Sequence, residues 1–248
     1  ILFESNNENN YQWTDKIVLH WNDIKNFLLM FPKGKVIHVV RDPRAVLASF
    51  KKITFEKNNT YLDAIFNCYG SLKFAKDALK KKSKNIYVLK IENLKSNNKD
   101  LLNKILQFLN LDYEADIFHA SKMSTNMDNW EETLKFNKNY YKLKNKKPNF
   151  KWPKINESWK NYLTKNEVIL CENITLEYMK FFNYETSIKS QNLSLQDMEK
   201  NFCNNSYLNS RFKKWSESGT IEGSYPSCPI AREVKYLKTK INIPNRQF

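Results

Sequence analysis

The sequence predicts an α/β protein with a doubly wound parallel sheet, and two observations lead to this fold class. Short apolar runs occur at 36–40 and 85–91, and continuous runs of this kind are typical of buried parallel strands. Segments with helical periodicity surround them, so that the predicted order is helix, strand, helix, helix, strand, helix. This alternation is typical of right-handed crossovers between parallel strands.

The first helix is predicted within 13–31, where apolar residues recur at helical spacing until Pro32 ends the pattern. After the first strand, Asp42 can cap the next helix and Pro43 suits its first position. The second strand leads into a further amphipathic helix. Its predicted apolar face consists of Leu102, Ile105, Leu106 and Leu109.

The second half of the chain contains a long polar segment and then one more strong helix. Residues 121–153 are polar and basic, which indicates a surface segment of the length used by lids. Thr164 and Glu167 have the spacing of a capping box and predict a helix start. After Tyr184 the composition changes, so we predict a domain over 1–185 and an extension over 186–248, which includes the capped helix candidate SLQDMEKNF.

Composition excludes some classes of function but does not determine which function the chain has. The chain has 248 residues, 41% of them hydrophobic, and a net charge of +15, which together indicate a packed core and a polyanionic partner. A lysine-rich and asparagine-rich surface that is merely solvated explains the charge equally well. Four widely spaced cysteines and three histidines predict neither a disulfide framework nor a zinc site.

No apolar run reaches the roughly 18 residues that a membrane span needs. The compartment is open: the cytoplasm is slightly favoured, and the Golgi lumen is compatible with an anchor upstream of Ile1. The N-x-S/T sequons do not decide it, because an asparagine-rich chain produces several by chance.

The segment RDPRAVLAS follows the first strand directly. In open α/β sheets, ligands bind beyond the carboxyl ends of the strands, which is where Arg41 lies. Ser49 follows eight residues later on the next helix, so both side chains could hold one phosphate. The spacing is equally compatible with an ion pair of Arg41 to Asp42 or Glu92 and with Ser49 as a plain helix-surface residue.

The same segment resembles the 3′-phosphate motif of sulfotransferases that use 3′-phosphoadenosine 5′-phosphosulfate (PAPS). Three further stretches are similar to that family and occur in its order: residues 15–40, residues 86–111 with IYVLKIENL and ILQFLNL, and residues 158–184 with SWKNYL. The resemblance implies a P-loop NTPase-like α/β fold, PAPS as sulfuryl donor and no metal. An acidic residue before Lys16 is typical of the carbohydrate and bacterial branches.

The resemblance also implies roles for individual residues. Asp15 matches the acidic residue that precedes the family lysine and is the candidate base, while Lys16 matches the lysine that stabilises the leaving oxygen. His20 is the alternative base. Asp15 as a helix cap and His20 as an exposed helix residue stay open.

Five residues are assigned to the nucleotide through the resemblance. Arg41 and Ser49 are expected to hold the 3′-phosphate, and Arg44 is expected to line the pocket. Trp159 and Lys160 lie where loops of the family close over the nucleotide, although a packed tryptophan beside a solvated lysine fits as well.

One family feature is missing from the sequence. Nothing before Trp13 resembles the glycine-rich loop that cradles the 5′-phosphosulfate, so we expect an N-terminally incomplete domain. The predicted function is sulfuryl transfer from PAPS to a hydroxyl or amine acceptor, with a glycan as one candidate. The alternatives are a basic polyanion-binding or nucleic-acid-binding protein and a non-catalytic sulfotransferase-like domain.

Overall fold

The computed structural model describes residues 2–3, 12–13, 21–53, 59–93, 99–112, 158–187 and 192–221. Its strands are β1 (Leu2–Phe3), β2 (Gln12–Trp13), β3 (Val36–Val40) and β4 (Ile86–Lys90). Its helices are α1 (Ile24–Met30), α2 (Pro43–Ile53), α3 (Asp63–Lys80), α4 (Lys99–Leu109), α5 (Lys165–Phe181), α6 (Leu195–Glu199) and α7 (Ser206–Ser218). Short 3₁₀ turns are present at Trp21–Asp23, Thr60–Leu62, Ile91–Asn93 and Ser158–Asn161.

Strands β3 and β4 form a parallel pair, with Val36 opposite Ile86 and Val40 opposite Lys90. The order α1, β3, α2, α3, β4, α4 is the predicted one, and a parallel pair joined through helices is an α/β arrangement. The α/β class is therefore confirmed at the level of this pair. A wider doubly wound, P-loop-like sheet stays a prediction, since β1 and β2 pair separately and antiparallel among the described residues.

Local signals in the sequence account for the helix starts. The Asp42 carboxylate accepts the backbone N–H of Arg44 at 2.9 Å, and α2 begins at Pro43 as predicted. The capping box at the start of α5 is complete: Thr164 Oγ1 accepts the N–H of Glu167, whose carboxylate accepts the N–H of Thr164 at 2.6 Å. The Ser194 hydroxyl caps α6 by accepting the N–H of Asp197 at 3.1 Å.

The largest core cluster joins α2, α3 and α5 to the C-terminal helices. Phe66 of α3 is fully buried with its ring 5.2 Å from that of Phe202, which lies between α6 and α7. Residues on both sides of position 185 therefore share one core, and the predicted domain division there remains a prediction. The buried members of the cluster are Leu47, Phe50, Leu62, Ala64, Ile65, Phe66, Leu170, Cys171, Ile174, Met198, Phe202, Leu208, Phe212 and Ile221.

Helix α7 was not predicted, although the sequence contains its signals. The Asn205 side chain accepts the N–H of Leu208 at 3.1 Å, and Gly219 ends the helix with a φ of 60°, a left-handed conformation that favours glycine. The predicted surface segment over 121–153 lies outside the described residues, and none of the described helices is long and apolar enough to cross a membrane.

The chain enters α1 through a close contact with α3. Trp21 is buried, and a Cβ added at Gly70 would lie 2.4 Å from its Cζ2 atom. Only glycine at position 70 leaves room for this ring. The contact between Trp21 and Gly70 positions the 3₁₀ turn that leads into α1.

Candidate functional site

A partly buried carboxylate links the carboxyl ends of β3 and β4. Glu92, just beyond β4, accepts the backbone N–H of Asp42 at 2.8 Å and the hydroxyl of Tyr184 at 3.0 Å. Burial and the Glu92 charge together raise the pKa of Tyr184, which keeps its hydroxyl protonated as the donor. Glu92 therefore has a structural role at this edge, and it holds the turn that follows β3.

The first turn of α2 has its donors occupied. The Asp42 carboxylate binds the N–H of Arg44, and the Asp42 carbonyl accepts the N–H groups of Ala45 and Val46 at 3.0 and 3.1 Å. Pro43 has no N–H. An anion at this strand end must therefore be bound by side chains and not by the free amides that a helix N-terminus often supplies.

Arg44 is buried in an ionic network. Its guanidinium binds the carboxylates of Asp42 and Glu172, both at 2.7 Å, and lies 4.3 Å from the centre of the Trp159 ring. Burial opposes the charge, but the two carboxylates outweigh it and raise the pKa of Arg44. Glu172 also accepts both the N–H and the hydroxyl of Ser187. The structure thus brings Arg44 and Trp159, two residues expected at the site, into contact at the start of α2.

Arg41 has no comparable partners. Its Nε atom is buried and makes no hydrogen bond within the part of the chain that the structure describes. It forms no ion pair there with Asp42, whose carboxylate is occupied by Arg44, or with Glu92. A buried donor without a partner costs about 1–3 kcal/mol. An anion bound at the end of β3 would satisfy it.

Ser49 is exposed on α2. Eight residues separate it from Arg41, which is about 12 Å of rise along a helix. A ligand shared by the two must therefore lie between the extended Arg41 side chain and the Ser49 hydroxyl. The exposure is compatible with this role and leaves the hydroxyl accessible.

Trp159 and Lys160 lie together in the turn that precedes α5 but face different surroundings. Trp159 is buried against Ala45, Ala48 and Val168, and its buried Nε1 has no hydrogen-bond partner among the described residues. Lys160 is exposed, with its Nζ 5.9 Å from the Trp159 ring. Trp159 thus packs on the helix that starts at the strand end, and Lys160 is the accessible charge of this pair.

The three residues predicted to take part in catalysis, Asp15, Lys16 and His20, lie outside the described residues. The described chain resumes at Trp21. Their roles stay predictions. Within the described part, no group of three or more histidine, cysteine or acidic side chains could hold a metal ion.

His38 is packed inside the molecule. Its Nε2 lies 3.1 Å from the Ser71 hydroxyl and 3.2 Å from the Ser71 carbonyl, and its ring meets Phe74 edge-on at 5.0 Å. Burial lowers the pKa of His38 to about 4, although the hydrogen bond from its ring to the Ser71 carbonyl raises the pKa. It is neutral at pH 7 and belongs to the interface of β3 with α3.

Glu172, the partner of Arg44, was not predicted from the sequence. Glu172 is a charged residue in the buried face of α5, between Cys171 and Ile174. A carboxylate at such a position requires a buried cation or several donors. That interruption of the apolar run VILCENIT was the available signal.

Comparison with known proteins adds one match. Residues 2–115 match the family model described as Sulfotransferase family, which confirms the resemblance for the motifs within this range. The resemblance of residues 158–184, the branch and the missing loop stay predictions. The matched part contains Arg41, Ser49 and the segment with Asp15, and it ends before Trp159. No curated protein and no solved structure matches the chain.

Proposed function

We propose that this chain, whose residues 2–115 match the sulfotransferase family, binds PAPS at the carboxyl ends of β3 and β4 and serves in sulfuryl transfer. The observation that supports the site is the buried, unpartnered Nε of Arg41 at the strand end. Each of the three guanidinium nitrogens of the neighbouring Arg44 donates to a carboxylate, so Arg41 is the better placed of the two arginines to bind a ligand.

The residues at this edge fit a phosphate monoester. Arg41 offers a planar set of N–H donors suited to phosphate oxygens, and Ser49 offers an accessible hydroxyl. The carboxylate of Asp42 is neutralised by Arg44 at 2.7 Å, which reduces its repulsion of an anion. The amides of α2 are occupied, so the 3′-phosphate would depend on Arg41 for most of its binding.

PAPS would supply the sulfuryl group, with the acceptor oxygen or nitrogen bonding to sulfur as the bond from sulfur to the 5′-phosphate oxygen breaks. We propose that Asp15 takes the proton from the acceptor and that Lys16 stabilises the negative charge left on that phosphate oxygen. His20 is the second candidate for the base. Lys160 is proposed to approach the nucleotide from the turn supported by Trp159.

The acceptor is proposed to be a hydroxyl or amine, with an acidic glycan as the preferred class. Two features support this choice: the acidic residue before Lys16, which resembles the carbohydrate branch, and the net charge of +15. A cationic surface raises the local concentration of an acidic acceptor.

Binding of adenosine 3′,5′-bisphosphate, measured by calorimetry against adenosine 5′-monophosphate, tests the site. The unmodified chain should prefer the bisphosphate. Arg41→Ala should weaken bisphosphate binding by about 10-fold to 100-fold, since hydrogen bonds to charged groups contribute roughly 1.5–3 kcal/mol. Ser49→Ala should weaken it by about 2-fold to 10-fold, and neither change should alter monophosphate binding.

Ser210→Ala is the matched control, because Ser210 is an exposed helical serine on α7. It should bind both nucleotides like the unmodified chain. An unchanged preference for the bisphosphate in Arg41→Ala would refute the assigned site. Turnover with PAPS and a glycan acceptor then tests Asp15→Asn, for which a near-normal kcat would eliminate Asp15 as the base.

A further inference from the structure

The amino ends of β3 and β4 form a second surface at the opposite edge of the strand pair. The Asn85 side chain donates to the carbonyls of Pro32 and Gly34 at 3.0 and 2.8 Å, which joins the turn after α1 to the turn after α3. Lys35 reaches the Phe108 carbonyl near the end of α4. Three helices therefore end at this edge, about 17 Å from the Arg41 edge for five-residue strands.

We call this region the amino-end surface and define it by residues 29–34, 79–84 and 111. Among the described residues, its exposed lysines outnumber the exposed carboxylates nearby, Asp77 and Asp112. None of these lysines takes part in an ion pair within the described part of the chain. They are Lys33, Lys80, Lys81, Lys82 and Lys84.

Lys82 occupies a backbone position that does not suit a lysine. Its φ is 49°, and the other described non-glycine residues with positive φ, Asn59, Asn110 and Asn183, are all asparagines. Lys82 ends α3 through hydrogen bonds of its own N–H to Leu79 and of the next N–H to Ala78, the pattern in which glycine or asparagine is preferred. The backbone therefore does not explain why lysine occupies this position.

Large apolar side chains are exposed beside these lysines. Leu29 and Met30, in the last turn of α1, are 71% and 74% exposed. Phe31, Leu79 and Leu111 are also exposed at this edge. An apolar group surrounded by lysines is typical of proteins that lie on an anionic bilayer, where the apolar side chains enter the boundary of the headgroups and the lysines contact lipid phosphates.

We infer that the amino-end surface docks on an anionic lipid bilayer. A soluble polyanion such as RNA or a sulfated glycan would use the lysines but would gain nothing from aliphatic side chains exposed to this degree. The docked chain would direct the Arg41 edge away from the membrane, toward solvent. This inference is independent of the sulfotransferase function, because it depends on residues at the other edge.

Flotation of the full chain with vesicles tests the inference. The chain should bind vesicles with roughly 30% phosphatidylserine, should not bind pure phosphatidylcholine, and should dissociate at high salt. Lys82→Glu combined with Lys84→Glu should weaken binding at least about tenfold. Met30→Ser combined with Leu79→Ser should also weaken it, because both remove apolar insertion.

Lys165→Glu combined with Lys213→Glu is the matched control, since it reverses two exposed lysines of α5 and α7 and changes the net charge equally. It should keep most of the binding. Lys82→Gly should lower vesicle binding while raising the Tm, because glycine relieves the backbone at this φ. A loss of binding caused by unfolding cannot produce this opposite pair of changes.

Three results would overturn the inference. The first is that the chain does not bind anionic vesicles. The second is that the control variant loses as much vesicle binding as Lys82→Glu with Lys84→Glu. The third is that binding depends on the lysines alone and that heparin or RNA is bound equally well. The last outcome would identify a polymer-binding surface instead. Retention of adenosine 3′,5′-bisphosphate binding in Lys82→Glu with Lys84→Glu separates this test from that of the nucleotide site.

Discussion

Two arginines three positions apart in one motif have different environments. Arg44 is enclosed by Asp42, Glu172 and Trp159, whereas Arg41 keeps a buried donor without a partner among the described residues. The sequence could place both at the end of β3, because the apolar run and the Asp-Pro pair mark the turn. It could not distinguish them, because Glu172 is 128 residues away from Arg44 along the chain and such a pairing is determined by tertiary packing.

A single buried histidine should make stability depend on pH. Burial lowers the pKa of His38 from its ordinary 6.5 to about 4, so the unfolded chain binds this proton at a higher pH than the folded one. Stability is therefore full above pH 6.5 and is lost as the pH falls from 6.5 toward 4. The shift corresponds to about 3 kcal/mol.

Urea unfolding at pH 7 and pH 5 measures this effect, and His38→Leu should remove most of the difference between the two pH values. The pKa of some carboxylates, such as that of Glu167, is lowered, and these groups lose their contribution to stability only below the ordinary value of 4.5. They therefore do not affect the comparison between pH 7 and pH 5. A pH dependence unchanged in His38→Leu would show that another group is responsible.

At the scale of elements, the predictions that depended on local chemistry were confirmed. Both strands, the cap at Asp42, the capping box at Thr164 and the helix start at Ser194 follow from residues within a few positions of one another. Helix α7 has equally local signals in Asn205 and Gly219, but it was not predicted from them. The pairing partners of β3 beyond β4 are not local, and short strands alone do not determine how wide a sheet becomes.

The contact between α3 and the start of α1 gives an element-scale prediction. Gly70→Ala improves helix propensity by up to about 1 kcal/mol, but its new Cβ would lie 2.4 Å from Trp21 Cζ2, and overpacking of this kind costs about 1–3 kcal/mol. We expect a net loss of stability of about 1 kcal/mol, measured as a lower urea midpoint.

The background with Trp21→Leu provides the control for this prediction. With the ring removed, Gly70→Ala should be neutral or stabilising, because only the helix preference remains. Equal destabilisation in both backgrounds would mean that the ring does not limit residue 70. The close approach would then have no energetic role.

At the scale of the whole molecule, one core contains residues from both sides of position 185, where the composition of the sequence changes. Arg211 of α7 binds the fully buried carboxylate of Asp63 at 2.6 Å, and Phe202 stacks between Phe66 and Phe212 with ring distances of 5.2 and 5.3 Å. Composition reports the change in surface character after Tyr184, whereas the packing of α6 and α7 on α3 depends on a few apolar residues. From such a core we expect one cooperative unit.

Phe202→Ala distinguishes one unit from two. The residue is fully buried, and its truncation should cost about 3–5 kcal/mol. The readout is the labelling rate of Cys171, a buried α5 thiol in the same cluster whose pKa is raised by burial. If the chain unfolds as one unit, labelling should accelerate at least about 100-fold, matching the loss of stability.

Peptide mass analysis separates the label on Cys171 from that on the exposed Cys203. Leu195→Ala is the control, because Leu195 is 52% exposed on α6 and should leave the rate near that of the unmodified chain. If Phe202→Ala leaves Cys171 protected, residues 186–248 unfold separately, as the division at 185 predicts. If Cys171 labelling accelerates in Phe202→Ala but not in Leu195→Ala, the C-terminal helices belong to the cooperative unit that supports Glu172, Arg44 and the end of β3.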